Sequence, residues 1–221
     1  MSAPKRKKIV FVCTGNTCRS PMAELLLKHR LEVLGLKGFT ITSAGIKAKK
    51  GDVINPKSAQ VLAENGISSE GFTSTKLTDK ILREAFAIVT MTESQRDFLT
   101  DMRWNAFRKV GEETEENNVH SFYEISGYEV LDPYGKDIDC YRYVYGLLSA
   151  GIDGLIDKLH LRQHAYAPKT KPKTSGEPKK RGRPKKSTLE GESPTPKKRG
   201  RPKKVQEELP LFTYIETGET V

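Results

Sequence analysis

The chain has 221 residues, a formal net charge of +10 and three cysteines. This length allows one sizeable domain or one domain plus a tail, and so few cysteines exclude a disulfide-stapled secreted scaffold. The charge is uneven, because residues 169–204 hold fifteen Lys or Arg against three Glu, a net of +12, which leaves −2 for the remainder. No apolar run approaches the length of a signal-peptide core or a membrane span, so we expect a cytoplasmic protein with no membrane partner.

Short apolar runs alternate with helical patterns along residues 1–166, which we expect to form one domain. The strand-like runs lie at 9–12, 39–43, 87–91 and 119–121, and the helical patterns at 21–34, 56–64, 92–102 and 140–161. Gly35 and Gly66 are placed to end the first two helices. This alternation predicts an α/β fold with a four-stranded parallel sheet flanked by helices on both faces. In such sheets the ligand lies beyond the carboxyl ends of the strands.

The first predicted strand leads directly into a loop that contains both a cysteine and an arginine. Residues 13–20 are Cys-Thr-Gly-Asn-Thr-Cys-Arg-Ser, and a helical pattern follows. With Ser20 as N-cap and Pro21 at the first helical position, the loop would direct several backbone amides at one point, where an anion binds. Such a site favours the Cys13 thiolate, and Arg19 can bind two oxygens of a phosphate. The pattern predicts a cysteine-dependent phosphatase with its phosphate loop after the first strand.

Residues 12–24 resemble the signature of the low-molecular-weight protein tyrosine phosphatase family. Further motifs agree with that family in chain order: Ser-Ala-Gly at 43–45, Asn-Pro at 55–56 and Asp-Pro-Tyr at 132–134. The resemblance extends over roughly residues 7–160. It implies the family's fold, phosphorylated proteins as substrates, and a general acid in the Asp-Pro-Tyr loop. No metal and no cofactor is expected.

The resemblance and the residue chemistry together suggest a role for each side chain. Cys13 would attack phosphorus to give a cysteinyl-phosphate, while Arg19 would bind the equatorial oxygens. Asp132 would protonate the leaving group and then activate water. Ser20 would donate its hydroxyl to the thiolate, and Asn16 would brace the loop in a left-handed conformation. The remaining residues expected to hold the phosphate are Thr14, Gly15, Thr17 and Cys18.

The expected substrate depends on Thr17. Many tyrosine phosphatases of the family carry a bulkier aliphatic residue at this position, whereas the protein-arginine phosphatase branch resembles this chain closely, threonine included. The resemblance therefore implies phospho-arginine, whose basic nitrogen needs a proton from Asp132 as it leaves. Phospho-tyrosine is the alternative. Tyr134 would line the pocket wall for either substrate, although Gly135 follows it where the eukaryotic tyrosine enzymes often show a second aromatic residue.

Cys18 has two interpretations, which stay open at this point. It is either a small filler residue or a thiol that captures an oxidised Cys13 as a reversible disulfide.

The basic tail, residues 167–204, is rich in Lys, Pro, Gly, Ser and Thr, and we expect it to be disordered. It contains two identical copies of Pro-Lys-Lys-Arg-Gly-Arg-Pro-Lys-Lys, at 178–186 and 196–204, which resemble AT-hooks that bind A·T-rich DNA in the minor groove. The residues expected to enter the groove are Arg181, Gly182, Arg183, Arg199, Gly200 and Arg201. A generic basic tail or localisation signal is the alternative.

Two further expectations concern the whole chain, and a third concerns its final segment. DNA binding would place the protein at the nucleoid, and a DNA-associated binding protein with a vestigial phosphatase domain is the second functional alternative. The acidic segment at 205–221 is either a docking peptide or a polar chain end.

Overall fold

The computed structural model describes residues 6–112, 114 and 117–165. The expectations for the basic tail and for the segment at 205–221 lie outside these residues. In chain order the elements are β1 (Lys7–Cys13), α1 (Arg19–Val33), β2 (Phe39–Gly45), α2 (Pro56–Glu64), α3 (Asp79–Glu84), β3 (Ala87–Thr90), α4 (Glu93–Arg108), β4 (Val119–Ser121), α5 (Phe122–Ser126), α6 (Ile138–Lys158) and α7 (Leu161–His164).

The four strands form one parallel sheet in the order β2-β1-β3-β4. Side chains of β1 alternate between the two faces of the sheet, as the two-residue repeat of a strand requires. Ile9, Phe11 and Cys13 belong to the core cluster shared with α1 and α6, whereas Val10 and Val12 belong to the cluster shared with α3 and α4. Because both faces are covered, β1 is apolar throughout its buried length. The predicted four-stranded parallel sheet with helices on both faces is confirmed.

The first helix begins differently from the prediction. Its N-cap is Cys18 and its first residue is Arg19, so Ser20 is not the cap and Pro21 stands at the third helical position. Pro21 has no amide proton, but the third amide of a helix has no intrahelical acceptor, so the proline costs little there. The Ser20 hydroxyl is engaged in the phosphate loop instead. At the other end, Gly35 has a φ of +66° and ends the helix as predicted.

Helix α4 extends to Arg108, beyond its predicted end at residue 102, and Arg103 lies on its buried face. Both terminal nitrogens of Arg103 donate to the carbonyl oxygen of Ala85 at 3.3 Å. A charged residue at a core-facing position interrupts the apolar repeat from which a helix is predicted. Helix α6 is shifted relative to its prediction, starting at Ile138 behind the N-cap Asp137 and ending at Lys158.

The three short helices α3, α5 and α7 were not predicted, since six, five and four residues are too few for a periodic pattern. A local signal did exist for α5: Ser121 and Glu124 form a capping box. Within the described residues, no helix is both long enough and apolar enough to span a membrane.

Candidate active site

The loop from Cys13 to Ser20 lies at the carboxyl end of β1, one of the two interior strands of the sheet. Its carbonyl groups are held from outside: Ile46 and Lys47 donate their amides to the carbonyl oxygens of Cys13 and Thr14 at 3.0 and 2.8 Å, and Asn55 donates to Thr17 at 2.9 Å. Among the described residues, no acceptor is found for the amides of Thr14, Gly15, Thr17 and Cys18. Such a cluster of unpaired amides at a helix N-terminus is suited to an anion.

Gly45 allows the loop to lie this close to the end of β2. A Cβ atom at this position would lie 2.8 Å from the Thr14 carbonyl oxygen, 2.9 Å from the Asn16 nitrogen and 2.7 Å from the Ala48 Cβ. Two of these three atoms belong to the backbone, which cannot move aside as a flexible side chain can. The Ser-Ala-Gly motif therefore has a steric reason for its glycine.

The buried Cys13 sulfur contacts two polar groups of its own loop. The Ser20 hydroxyl oxygen lies 3.0 Å from Sγ, and the Asn16 backbone amide donates to Sγ at 3.3 Å. Because Ser20 Oγ accepts a hydrogen bond from Asn16 Nδ2 at 2.9 Å, its own proton is available for the sulfur. Both groups stabilise negative charge on Sγ, the form in which a thiol is nucleophilic.

Asn16 is the centre of the network that holds the loop. Its φ is +55°, in the left-handed region that asparagine tolerates. Its Nδ2 also donates to Ser43 Oγ at 2.8 Å, and its Oδ1 accepts from the Thr75 amide at 2.7 Å. Ser43 in turn donates to Glu24 at 2.5 Å. The bracing role expected of Asn16 therefore has a physical basis. Glu24 and Ser43 lie in the motifs at 12–24 and 43–45, but no bracing role was predicted for them or for Thr75.

Arg19 joins the phosphate loop to the loop after α5. Its Nη1 donates to the carbonyl oxygen of Val130 at 3.2 Å, and its Nη2 donates to Asp132 Oδ2 at 2.6 Å. The Arg19 side chain is 6% exposed, whereas the Asp132 side chain is 51% exposed. The second carboxylate oxygen of Asp132 accepts from the Tyr134 amide at 3.2 Å. The structure thus places the expected phosphate ligand Arg19 in direct contact with the expected acid.

One pocket of about 390 Å³ brings most of the expected site residues together. Its lining includes Cys13, Thr14, Gly15, Thr17, Cys18, Arg19, Asp132 and Tyr134. Tyr134 is 72% exposed and stands at the rim. Asn16 and Ser20 are not part of the lining, because they lie fully buried behind the loop.

The pocket also has three lining residues that the sequence analysis missed, namely Lys47, Lys49 and Asp52. They belong to the segment between β2 and α2. The only signal for them was proximity in sequence to the end of β2, where a parallel sheet places its ligands.

Cys18 is buried in contact with Thr17 and Tyr141. Its sulfur lies 3.6 Å from the Tyr141 hydroxyl and 3.7 Å from Thr17 Oγ1. Burial raises the pKa of the Cys18 thiol, and its hydrogen bonds with Tyr141 and Thr17 offset only part of this rise. Burial and the Cys18 contact also raise the pKa of Tyr141. Cys18 is therefore held as a neutral thiol at the side of the pocket.

Comparison with known protein families agrees with this geometry. Residues 8–165 match the family described as low molecular weight phosphotyrosine protein phosphatase. Residues 178–189 and 196–208 each match the AT hook motif.

The relatives include both arginine phosphatases and tyrosine phosphatases. A protein-arginine-phosphatase of Geobacillus stearothermophilus is 32% identical over 156 residues, covering 71% of this chain and 98% of that protein. The low molecular weight protein-tyrosine-phosphatase Etp of Escherichia coli K12 is 31% identical, covering 67% of this chain and 91% of that protein.

Among solved structures, a cysteine-to-serine mutant of the YwlE arginine phosphatase carries a phosphorylated active-site serine. It aligns with a TM-score of 0.60 at 31% identity, covering 69% of this chain and 95% of that chain. The chain therefore belongs to the low molecular weight phosphotyrosine protein phosphatase family and is a cysteine-dependent phosphoprotein phosphatase.

Proposed function

We propose that this phosphatase hydrolyses phospho-arginine in proteins. The observation that carries the proposal is Thr17, a small polar residue of the phosphate loop that lines the same pocket as Cys13 and Asp132. A threonine leaves room for a guanidine group beside the phosphate and offers it a hydroxyl, whereas a larger aliphatic side chain would crowd it. Overall sequence identity does not discriminate between phospho-arginine and phospho-tyrosine as substrates, because the arginine and tyrosine phosphatase relatives are 32% and 31% identical to this chain.

The first chemical step transfers the phosphoryl group to Cys13. A bond forms between Sγ and phosphorus as the bond between phosphorus and the arginine nitrogen breaks, and Asp132 gives its proton to that nitrogen. Arg19 and the loop amides hold the equatorial oxygens of the transferring group. Asp132 is half-exposed in its contact with Arg19. In the proposed step it leaves that contact for the leaving group.

The second step hydrolyses the cysteinyl-phosphate. Water attacks phosphorus while Asp132 accepts a proton from it, and the bond between phosphorus and sulfur breaks. Inorganic phosphate leaves, and the Cys13 thiolate is restored under the Ser20 hydroxyl and the Asn16 amide. Cys13 and Asp132 thus serve both steps.

Phospho-tyrosine is the alternative substrate, and it uses the same steps with a phenol as leaving group. The exposed Tyr134 ring at the rim favours this alternative, since it can contact a substrate ring. A free guanidine is more basic than a phenolate, so phospho-arginine depends more strongly on proton transfer from Asp132.

The test is steady-state kinetics on two peptides of one sequence that differ only in phospho-arginine or phospho-tyrosine. We expect kcat/KM to be higher for the phospho-arginine peptide. A higher value for the phospho-tyrosine peptide would make the protein a tyrosine phosphatase of the same mechanism. If the protein hydrolyses neither peptide and no generic aryl phosphate, the result would support the interpretation of a vestigial domain.

We further propose that the basic tail binds A·T-rich DNA. The two matches to the AT hook motif support this proposal, together with the Arg-Gly-Arg core in each copy. In a narrow minor groove, arginine side chains meet strong negative potential, and the lysines on either side meet phosphates. Competition between A·T-rich and G·C-rich duplexes measures the preference, and equal binding of the two duplexes would contradict it. Phosphorylated proteins and A·T-rich DNA are accordingly the two proposed partners.

A further inference from the structure

One wall of the active-site pocket is formed by the segment that follows β2. This segment contributes Lys47, Lys49 and Asp52 to the lining. Of the residues that line this pocket, two carry carboxylates, and these are Asp52 and Asp132. The pocket therefore has a carboxylate that the two chemical steps do not use.

The backbone around Asp52 is fixed rather than loosely attached. The Ser74 amide donates to the Asp52 carbonyl oxygen at 2.8 Å, and the Gly51 amide donates to the Ser74 carbonyl oxygen at 3.0 Å. The Ser74 hydroxyl also donates to the Lys49 carbonyl oxygen. Ser74 itself is buried, with 2% of its surface exposed. These contacts anchor the wall segment, so the Asp52 side chain projects from a defined position.

The two pocket carboxylates differ in their partners. Asp132 is engaged through both oxygens, with Arg19 and with the Tyr134 amide. The exposed Asp52 side chain has neither an ion pair nor a hydrogen bond with any described residue. An exposed carboxylate on an anchored backbone can accept donors from a substrate without first losing a contact within the protein.

The proposed substrate supplies such donors. The guanidinium group of arginine is planar and carries several N–H groups, which pair with a carboxylate through two parallel hydrogen bonds. Phosphorylation of one terminal nitrogen leaves N–H groups on the others. A phenyl ring offers no N–H donor, so a carboxylate beside it gains nothing and loses hydration. A carboxylate in this wall therefore favours a guanidinium over a phenol.

We infer that Asp52 is a specificity-determining residue that binds the guanidinium of phospho-arginine while the phosphate lies in the Cys13 loop. This inference rests on the proposed function and adds a residue outside the loop to it. The rival explanation is that Asp52 only offsets the charge of Lys47 and Lys49. In that case, its removal would affect the binding of every phosphorylated substrate equally.

The test compares Asp52→Asn, which keeps the shape of the side chain and removes its charge, with wild type in the full-length protein. The matched control is Asp101→Asn, which removes one exposed negative charge from α4, outside the pocket. Peptides of one sequence carry phospho-arginine or phospho-tyrosine. We expect Asp52→Asn to lower kcat/KM for phospho-arginine by roughly three- to tenfold, mainly through KM, with less than a twofold change for phospho-tyrosine. Asp101→Asn should change neither value.

An equal change in both values for Asp52→Asn, or no change in either, would overturn the inference and leave the proposed function intact. A wild-type protein that hydrolyses phospho-tyrosine and not phospho-arginine would overturn both. The two failures are therefore distinguishable in one experiment.

Discussion

Arg19 and Asp132 are 113 positions apart in sequence, and Arg19 Nη2 lies 2.6 Å from Asp132 Oδ2. The arginine is buried and fixed by a second bond to the Val130 carbonyl oxygen, whereas the aspartate is half-exposed. The carboxylate is thus the movable partner of the pair. A phosphate dianion competes with it for the same guanidinium, so substrate binding is expected to free Asp132 for the leaving group.

The nucleophile can be tested by Cys13→Ser. We expect turnover to be abolished, because a serine hydroxyl is not ionised in this loop as a thiol can be. Phosphate binding should remain, since the amides and Arg19 are unchanged. Kinetics and the binding of inorganic phosphate measure the two effects, with Cys140→Ser as a control outside the pocket lining. Substantial turnover by Cys13→Ser on any phosphorylated substrate would rule out the mechanism.

Asp132→Asn distinguishes the role of Asp132 as an acid from its contact with the phosphate ligand Arg19. We expect kcat for a phospho-arginine peptide to fall by roughly 10²–10³-fold, the usual contribution of a positioned acid. Inorganic phosphate should inhibit this variant at least as well as wild type, because the neutral amide no longer competes for Arg19. Inhibition constants measured alongside kcat decide the point. Weaker inhibition of the variant would show that the ion pair assists phosphate binding.

Thr17→Ile tests selectivity inside the loop. The added bulk and the lost hydroxyl should lower kcat/KM for phospho-arginine relative to phospho-tyrosine by about fivefold or more. Thr17→Ser, which keeps the hydroxyl and loses only a methyl group, is the matched control and should stay near wild type. If the ratio of the two specificity constants is the same in Thr17→Ile as in wild type, Thr17 does not select the substrate.

Cys18 should react more slowly than Cys13 with alkylating agents. Because burial raises the pKa of Cys18 above its ordinary value, its thiol remains protonated at pH 7 and ionises only as the pH rises beyond that value. The Cys13 sulfur, in contact with the Ser20 hydroxyl and the Asn16 amide, should be modified by iodoacetamide at pH 7 before Cys18, as mass spectrometry of the labelled peptides would show.

We also propose that Cys18 protects Cys13 from irreversible oxidation. Peroxide converts the Cys13 thiolate to a sulfenic acid, which condenses with the Cys18 thiol to a disulfide and releases water. After peroxide and then dithiothreitol, wild type should recover more activity than Cys18→Ser. Equal recovery would leave Cys18 as a filler residue in contact with Tyr141.

The basic tail can be tested without altering the pocket. Deletion of residues 169–204 should preserve turnover of small substrates, because every described element ends before them, and it should reduce DNA affinity sharply. Replacing Arg181, Arg183, Arg199 and Arg201 with lysine keeps the charge and loses the planar guanidinium. That variant should bind DNA in a salt-dependent way and lose the A·T preference. An undiminished preference would show that the tail acts only as a polycation.

The sequence was sufficient where a residue has a single physical explanation. The alternation of apolar runs and helical patterns predicted the parallel sheet, and the loop of Cys13 and Arg19 after the first run predicted a site at the carboxyl ends of the strands, where the structure has a pocket. The sequence was insufficient where one residue has two possible structural roles. Ser20 was predicted both as a helix cap and as a donor to Cys13, but the cap is Cys18, and the Ser20 hydroxyl contacts the Cys13 sulfur. Arg103 places a charge on the buried face of α4, so the last turns of this helix lack the apolar repeat from which a helix is predicted. The wall residue Asp52 could not be predicted, because its position depends on contacts with Ser74.

Two adjacent residues, Ser74 and Thr75, stabilise the two halves of the pocket separately. Ser74 bonds the wall segment that carries Asp52, and the Thr75 amide bonds Asn16 behind the phosphate loop. Neither residue lines the pocket. Because each contact holds a different half, a change at either residue would shift the wall segment relative to the phosphate loop. A mutant library restricted to pocket-lining positions would therefore miss two positions that set the spacing between Asp52 and Cys13.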